Sequence, residues 1–380
     1  MNLSETESQI YQNILKPASE LSLNLMAIKV TERPEQFLPW CQEFMRLCSE
    51  ELNLDLLEAE QFPALKKLQT NLELAINYNQ IKTLRIAPWP IFASFIQQQA
   101  ELHALTERMA LLDYVAQLKE KSLTELISED LFVIAGKHTA KHEPSLYPFD
   151  LEWFGSTKSA KTFLSLLSDH DAEFDQALSH IPLTGDVSAQ DYKNFVIAYH
   201  AIFAHHAAGE KVTLAPATRL LAMRRPDQFI ALTNSKIETL CAGFDVAKFK
   251  NTDFDAYWSD LIESMRSMAW WRSNEPEDAE ELKLWKNRAI LVDCCLYADK
   301  QLAANSNYIR LRDKPKRASS AGSGTTARRS KASAQELVDR ALASDDMPDA
   351  VKAQRDSIIR QVEGGKRVED VISLLRTIFG

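Results

Sequence analysis

Histidines are concentrated in one stretch of the chain, where they raise the question of a metal site. The segment YHAIFAHHAAGE contains His200, His205 and His206, with Glu210 close behind. Two histidines on a helix bind one zinc ion when they are four residues apart, because both imidazoles then leave the same face. Here the separations from His200 are five and six residues. The spacing therefore predicts no metal site, and we expect these histidines at the end of a helix.

A second candidate is a divalent-metal nuclease site in the run RRPDQFIALTNSK. Pro226-Asp227 followed by Asn234-Ser235-Lys236 has the outline of the PD…(D/E)xK pattern. In that chemistry two carboxylates hold the ion and the lysine positions the attacking water. Asn234 stands where the second carboxylate should be, and a neutral amide is a poorer ligand for Mg²⁺. A degenerate or unrecognised nuclease is therefore the alternative function, and the competing interpretation is a turn whose apolar residues pack inward.

The other common catalytic signatures are missing from the sequence. The ten glycines never fall in the GxxxxGK or GxGxxG spacing that nucleotide-binding loops require. The sequence has no GxSxG elbow, and its cysteines lack the surroundings of a papain-like nucleophile. We therefore predict no cofactor and no catalytic residue, and the sequence favours a protein that is not an enzyme.

Tryptophans and basic residues alternate in the segment 257–288. Trp258, Trp270 and Trp271 are the members that could form an interface. Bases stack on exposed aromatic rings while nearby cations bind phosphates, and tryptophan also anchors protein interfaces. Core packing is the commoner use of tryptophan at helical spacing. The sequence leaves three interpretations open: a buried core, an interface with a protein partner and a nucleic-acid surface.

A compact basic group surrounds the turn that precedes this segment. Arg224 and Arg225 end one predicted helix, Lys236 follows the turn, and Arg219 lies one helical turn upstream. Guanidinium and ammonium groups bind phosphate oxygens as well as carboxylates. Arg224, Arg225 and Lys236 are therefore candidate nucleic-acid contacts, with ion pairs inside this acidic protein as the competing interpretation.

The charge of the chain is acidic overall and basic in one place. The formal net charge is −9, yet residues 310–333 contain eight basic residues and one acid. The run DKPKRASSAGSGTTARRSKAS at 313–333 lacks large apolar groups that could offset the entropy of ordering it. We predict a flexible linker that contacts the phosphate backbone without sequence specificity. Its candidate contacts are Lys314, Lys316, Arg317, Arg328, Arg329 and Lys331.

Helices must position all of these groups. Only 10 of 380 residues are glycine, and apolar residues recur every three or four positions over long stretches. The predicted fold is all-α: a two-lobed helical body, a flexible basic linker and a small C-terminal helical module. The predicted boundaries are an N-terminal lobe at 1–145, a second lobe at 149–309, the linker at 310–333 and a three-helix module at 334–380.

The cysteines and the apolar segments bear on the compartment. The five cysteines have no disulfide-framework spacing, which predicts reduced thiols. The start MNLSETESQIYQNIL is not a signal peptide, and the apolar windows are too short to span a membrane. We expect a soluble cytoplasmic protein with no membrane partner.

One resemblance adds to these inferences. The runs LAPATRLLAMRRPDQFIALTNSK, FDAYWSDLIESMRSMAWWRS and LWKNRAILVD, within residues 214–297, resemble a segment of uncharacterised bacterial proteins associated with restriction and anti-phage loci. The resemblance implies a defence-related role and supplies no catalytic residue. We therefore expect a non-enzymatic accessory or scaffold subunit of a bacterial DNA-directed system, which binds protein partners and contacts nucleic-acid backbone. A purely structural role, in which the basic run only tethers the C-terminal module, is a further alternative.

Overall fold

A computed structural model of the protein describes residues 3–21, 36–314, 334–342, 347, 352–363, 368 and 371–372. These residues form helices and irregular segments with no β-strand among them, which confirms the all-α prediction. The α-helices are α1 (Glu5–Glu20), α2 (Phe37–Arg46), α3 (Phe62–Leu84), α4 (Trp89–Gln98), α5 (Leu105–Leu118), α6 (Ser128–Ala135), α7 (Lys161–Asp169), α8 (Asp171–Ser179), α9 (Ala189–His206), α10 (Leu214–Arg224), α11 (Asn234–Phe244), α12 (Phe254–Ala256), α13 (Glu263–Arg266), α14 (Ala279–Trp285), α15 (Lys300–Ala304), α16 (Asn307–Arg312), α17 (Ala334–Leu342) and α18 (Arg355–Glu363). Shorter π and 3-10 segments are Leu47–Glu51, Leu54–Leu56, Ala59–Gln61, Leu123–Glu125, Tyr257–Ile262 and Ile290–Cys295.

The long helix α3 follows directly from its sequence pattern. The apolar period predicts a helix over 65–83, and the structure extends it by three residues at the N-terminus and by one at the C-terminus. A proline stands in its first turn, where the missing N–H has no helical partner to lose. Leu65, Leu68, Leu72 and Ile76 recur at helical spacing and are all buried.

The apolar spacing predicts continuous helices over 91–121 and 278–302, and both are divided in the structure. The stretch 91–121 forms α4 and α5, and the turn between them ends at Ala104, whose φ is +47°. The stretch 278–302 forms α14, the 3-10 segment Ile290–Cys295 and α15. There the N–H groups of Ala289 and Ile290 donate to the Pro226 carbonyl, a contact from outside the segment. The β-like piece at 228–232 is an extended connection.

The chain divides into two compact units, residues 1–314 and 315–380. The first contains two apolar clusters, one built from α1, α2 and the start of α3, and one that runs from Ile81 to Cys295. The division between the clusters lies within α3. The predicted lobe boundary at 145–149 is therefore corrected, because residues on both sides of it pack into the same core.

Arg219 connects the chain across that predicted boundary. Its guanidinium donates to the carbonyls of Val133 and Ile134 on one side, and to those of Leu151 and Trp153 on the other. The side chain is 1% exposed, so these bonds satisfy a buried charge within the core. One buried side chain thus holds the two predicted lobes in a common core.

The second unit is described over two helices and a few further residues. α17 and α18 pack together, and Asp339 of the first accepts hydrogen bonds from Arg355 of the second at 2.5 and 2.8 Å. Val338, Ile358 and Val371 are among the buried members of its small apolar core. A helical module after the linker was predicted, and the described part agrees with it.

Two further observations concern the residues that the structure describes. No helix there is both long and apolar enough to cross a membrane. All five cysteines are buried and have free thiols.

Candidate functional site

The predicted basic group around residue 225 makes contacts inside the protein. Arg225 donates to both carboxylate oxygens of Asp227, each at 2.8 Å, and to the Pro182 carbonyl at 2.6 Å. Burial acts to raise the pKa of Asp227, but the hydrogen bonds and charge of Arg225 outweigh it, so the pKa lies below its ordinary value. Arg224 donates to the Ile181 carbonyl at 2.8 Å. Nucleic-acid binding by these two arginines stays a prediction, and the polar groups described here already have internal partners.

Lys236 lies in a different environment from the two arginines. Its ammonium donates to the Phe154 carbonyl at 2.6 Å and forms an ion pair with Asp293. Burial lowers the pKa of Lys236, and the Asp293 carboxylate offsets part of that effect. The structure therefore gives Lys236 a partner other than Asp227, and it does not assemble the nuclease-like group of Asp227, Asn234 and Lys236.

The three predicted interface tryptophans differ in exposure. Trp270 is fully buried against Phe92, with ring centroids 5.1 Å apart. Trp258 is buried and stacks on Tyr192 at 5.0 Å. Trp271 is partly exposed, with the Arg288 guanidinium 4.6 Å from its ring. Only Trp271 therefore offers surface to a partner.

The basic linker contributes one described side chain. Lys314 is exposed at the end of the first unit. The other predicted contacts, Lys316, Arg317, Arg328, Arg329 and Lys331, lie outside the described residues.

The structure contains a concave cleft that sequence reasoning missed. It encloses about 390 Å³ and is lined by the segments 156–163 and 210–216, by one face of α9, and by residues at the start of α11. We call it the helix-start cleft, because the first turns of α7, α10 and α11 all line it. Its polar lining includes Ser156, Ser159, Thr162, Thr213, Thr233, Asn234 and Asn251.

The helix starts in this cleft leave backbone donors available. None of α7, α10 and α11 has a side-chain N-cap hydrogen bond. In the described structure the N–H groups of the first three α7 residues, 161–163, form no hydrogen bonds. α10 contributes less, because Leu214 donates to the Asn251 carbonyl and Pro216 has no N–H. Uncapped N-termini carry partial positive charge and point donors outward, so the cleft favours an anion.

Two lysines strengthen this electrostatic preference. Lys161 and Lys211 both line the cleft, both are exposed, and neither has an ion-pair partner among the described residues. Glu210 is the one acidic side chain of the lining, which leaves the titratable groups there with a positive balance. Free cations beside helix N-termini are the arrangement that binds phosphate in many proteins.

Tyr199 adds an unsatisfied donor to the wall of the cleft. Its side chain is fully buried, it lines the cleft, and its hydroxyl has no hydrogen-bond partner in the described structure. Burial raises the pKa of Tyr199, so the hydroxyl stays protonated. A buried polar group without a partner is unusual in a folded protein and calls for an explanation such as a ligand or bound water.

A separate group of side chains has the composition of a metal site. His170, Glu173 and His206 bring their nitrogen and oxygen ligand atoms within 4.8 Å of one another. Spacing along one helix cannot predict this group, because His170 lies between α7 and α8, Glu173 lies in α8 and His206 ends α9. No pattern within the run of histidines at 200–206 reveals the partners at 170 and 173.

Comparison with known proteins adds no relative. No protein-family model matches the chain, and no curated protein or solved structure matches it either. The function must therefore be argued from the geometry above.

Proposed function

We propose that the protein is a non-enzymatic binding subunit that holds a small phosphate-bearing ligand in the helix-start cleft. The observation that carries the proposal is the convergence of uncapped helix N-termini on a cleft with two unpaired lysines. The volume of about 390 Å³ falls within the range of small-molecule sites. The cleft therefore has room for a small phosphate-bearing molecule.

The cleft offers several donors that suit phosphate. Lys161, Lys211 and the α7 amides can all donate, and phosphate oxygens accept several hydrogen bonds at once. A carboxylate would use fewer of these donors. The tetrahedral anion therefore matches the site better than a planar one.

A binding role fits the lining better than a catalytic one. Among the described residues that line the cleft there is no histidine, cysteine or aspartate, and Glu210 is exposed. General acid–base catalysis most often uses histidine, and the serine, threonine or lysine side chains of the lining would need an adjacent general base to activate them as nucleophiles. The cleft therefore supports recognition of a phosphate-bearing molecule without its conversion.

The wider role belongs to the same proposal. The wider role is that of an accessory subunit of a bacterial DNA-directed system. It is supported by the resemblance at 214–297 and by the basic run at 310–333. Protein partners and nucleic-acid backbone are the expected contacts of that role. Binding of the phosphate-bearing ligand to the first unit would then serve as a regulatory signal.

Isothermal titration of the full chain with inorganic phosphate and with pyrophosphate tests the site. The test variant is Lys161→Gln/Lys211→Gln, which removes two exposed charges without disturbing the core. We expect the affinity for each anion to fall by about tenfold or more for each lysine that is replaced, because each replacement removes a charge-assisted hydrogen bond to the anion.

A matched control separates specific binding from general charge. Lys193→Gln removes an exposed charge from α9, the helix that carries Tyr199, outside the lining of the cleft. Its affinity should equal that of the wild-type protein. Equal losses in the control and the test variant, or no binding of either anion by the wild-type protein, would show that the cleft is not a phosphate site.

A further inference from the structure

His170, Glu173 and His206 form a compact group on the surface of the first unit. Nε2 of His206 lies 2.6 Å from Oε1 of Glu173, and Nδ1 of His170 lies 3.5 Å from the same oxygen. The two imidazole rings stack with centroids 3.6 Å apart and planes 18° from parallel. Two nitrogens thus approach one carboxylate oxygen from neighbouring rings.

The backbone positions these side chains before any ion binds. His170 stands between α7 and α8, and its carbonyl accepts hydrogen bonds from the N–H groups of Glu173 and Phe174. His206 is the last residue of α9, which packs against α8. The buried ring of Phe174 contacts Tyr199 of α9, with centroids 5.8 Å apart. A packed helix pair therefore fixes the separation of the ligands.

We propose that His170, Glu173 and His206 bind one divalent transition-metal ion, with Zn²⁺ as the best-suited ion. Two imidazole nitrogens and one carboxylate oxygen form a ligand set that favours Zn²⁺ over Mg²⁺ or Ca²⁺, which prefer oxygen. Three protein ligands leave the fourth tetrahedral position to water. This site is distinct from the helix-start cleft and does not depend on the function proposed for it.

Metal binding requires the side chains to rearrange. Zinc holds nitrogen and oxygen at about 2.0–2.2 Å, which places tetrahedral ligand atoms roughly 3.3 Å apart. Glu173 must therefore withdraw from His206, because the ion takes the place of their hydrogen bond. The stacked imidazole rings of His170 and His206 must also rotate apart, because the lone pair of each coordinating nitrogen lies in the plane of its own ring. The side chains are 31%, 38% and 28% exposed for residues 170, 173 and 206, so solvent-facing room exists for this movement.

Zinc titration of the full chain, purified without a histidine tag and stripped of metal, tests the proposal. We expect one equivalent of Zn²⁺ to bind the wild-type protein. His206→Gln and Glu173→Gln should each lower the affinity by at least about tenfold, since even changes outside the ligand shell commonly have effects of this size. His205→Gln is the matched control, because His205 is the exposed neighbour of His206 and is not among the three ligands.

Cobalt gives a second readout that does not depend on affinity alone. Co²⁺ in a tetrahedral nitrogen and oxygen site should give visible absorption bands in the wild-type and His205→Gln proteins. Those bands should be lost in His206→Gln, while circular dichroism shows that the variant remains helical. Binding of Zn²⁺ that is equal in His206→Gln and His205→Gln, or no stoichiometric binding by the wild-type protein, would overturn the site.

Discussion

Oδ2 of Asp293 accepts a hydrogen bond of 2.6 Å from Nη1 of Arg108, a residue 185 positions earlier in the chain. Both side chains are nearly inaccessible, at 8% and 4% exposure. Lys236 pairs with the other oxygen of the same carboxylate. Burial acts to raise the pKa of Asp293, but Lys236 and Arg108 lower it to about 2. The core of the first unit therefore contains a charged aspartate held between two cations.

Asp293→Asn should destabilise the protein strongly. The substitution leaves Arg108 and Lys236 buried without their counter-charge, and breaking a buried pair in this way costs about 3–5 kcal/mol. Urea unfolding at pH 7 measures the change in the free energy of unfolding. Glu280→Gln is the control, because its ion pair with Lys283 is exposed to solvent and such pairs contribute little to stability. A loss for Asp293→Asn no larger than the control would contradict the prediction.

His103 should make the protein sensitive to mild acid. Its side chain is buried, and desolvation together with the charge of Arg108 lowers its pKa from 6.5 to about 4. Between these values the unfolded chain binds a proton that the folded chain does not. The free energy of unfolding should therefore fall as the pH drops from about 6.5 to about 4, by up to about 3 kcal/mol.

Urea unfolding at several pH values between 7 and 4 measures this contribution of His103. His103→Gln removes the titrating group, so its stability should change less over this range than that of the wild-type protein. His205→Gln, which removes an exposed histidine, should keep the wild-type slope. If the free energy of unfolding depends on pH in the same way in both variants, His103 is not the source of the acid sensitivity.

Gly243 should be a position where alanine destabilises a helix. A Cβ there would lie 2.5 Å from Cγ2 of Ile81, where α11 packs against α3. Helix propensity alone would make Gly243→Ala favourable by about 1 kcal/mol. Overpacking should outweigh that gain and give a net loss of about 1–3 kcal/mol.

A double-mutant cycle with Ile81→Gly checks the cause of this loss. Ile81→Gly removes both Cγ2 and Cβ, which lie 2.5 and 2.6 Å from the new Cβ, so the double variant should lose less stability than the sum of the single variants. Thermal or urea unfolding of the four proteins gives the coupling. Ala242→Gly, an exposed neighbour, reports the propensity effect by itself. Additive losses would contradict a direct clash.

The segment 313–333 should be the first site of tryptic cleavage. Its composition lacks apolar anchors and its charges repel one another, which predicts a chain open to proteases. Limited digestion followed by mass spectrometry should find cuts at Lys316–Arg317 or Arg328–Arg329 before any cut within 36–312. If both sites stay intact while the chain is cut within 36–312, the prediction of a flexible linker is wrong.

Local sequence alone was enough to predict the fold class and the span of α3 to within a few residues. The apolar period at 65–83 predicted α3, and the observed helix differs only at its ends. Helical period depends on residues three or four apart, so a short window contains the information. The turn before Ala104 was missed because no glycine or proline marks it, and its backbone is set by packing.

The sites depended on tertiary structure. Arg108, Lys236 and Asp293 meet only after α5, α11 and the 3-10 segment pack together, and no spacing rule connects them. The helix-start cleft likewise draws on segments spread over residues 156–251. His170 and His206 became neighbours through the packing of α8 against α9. Residue types and periods determine which segments become helices and which faces are apolar, whereas the way remote faces pack decides which polar groups come together and which are left without partners.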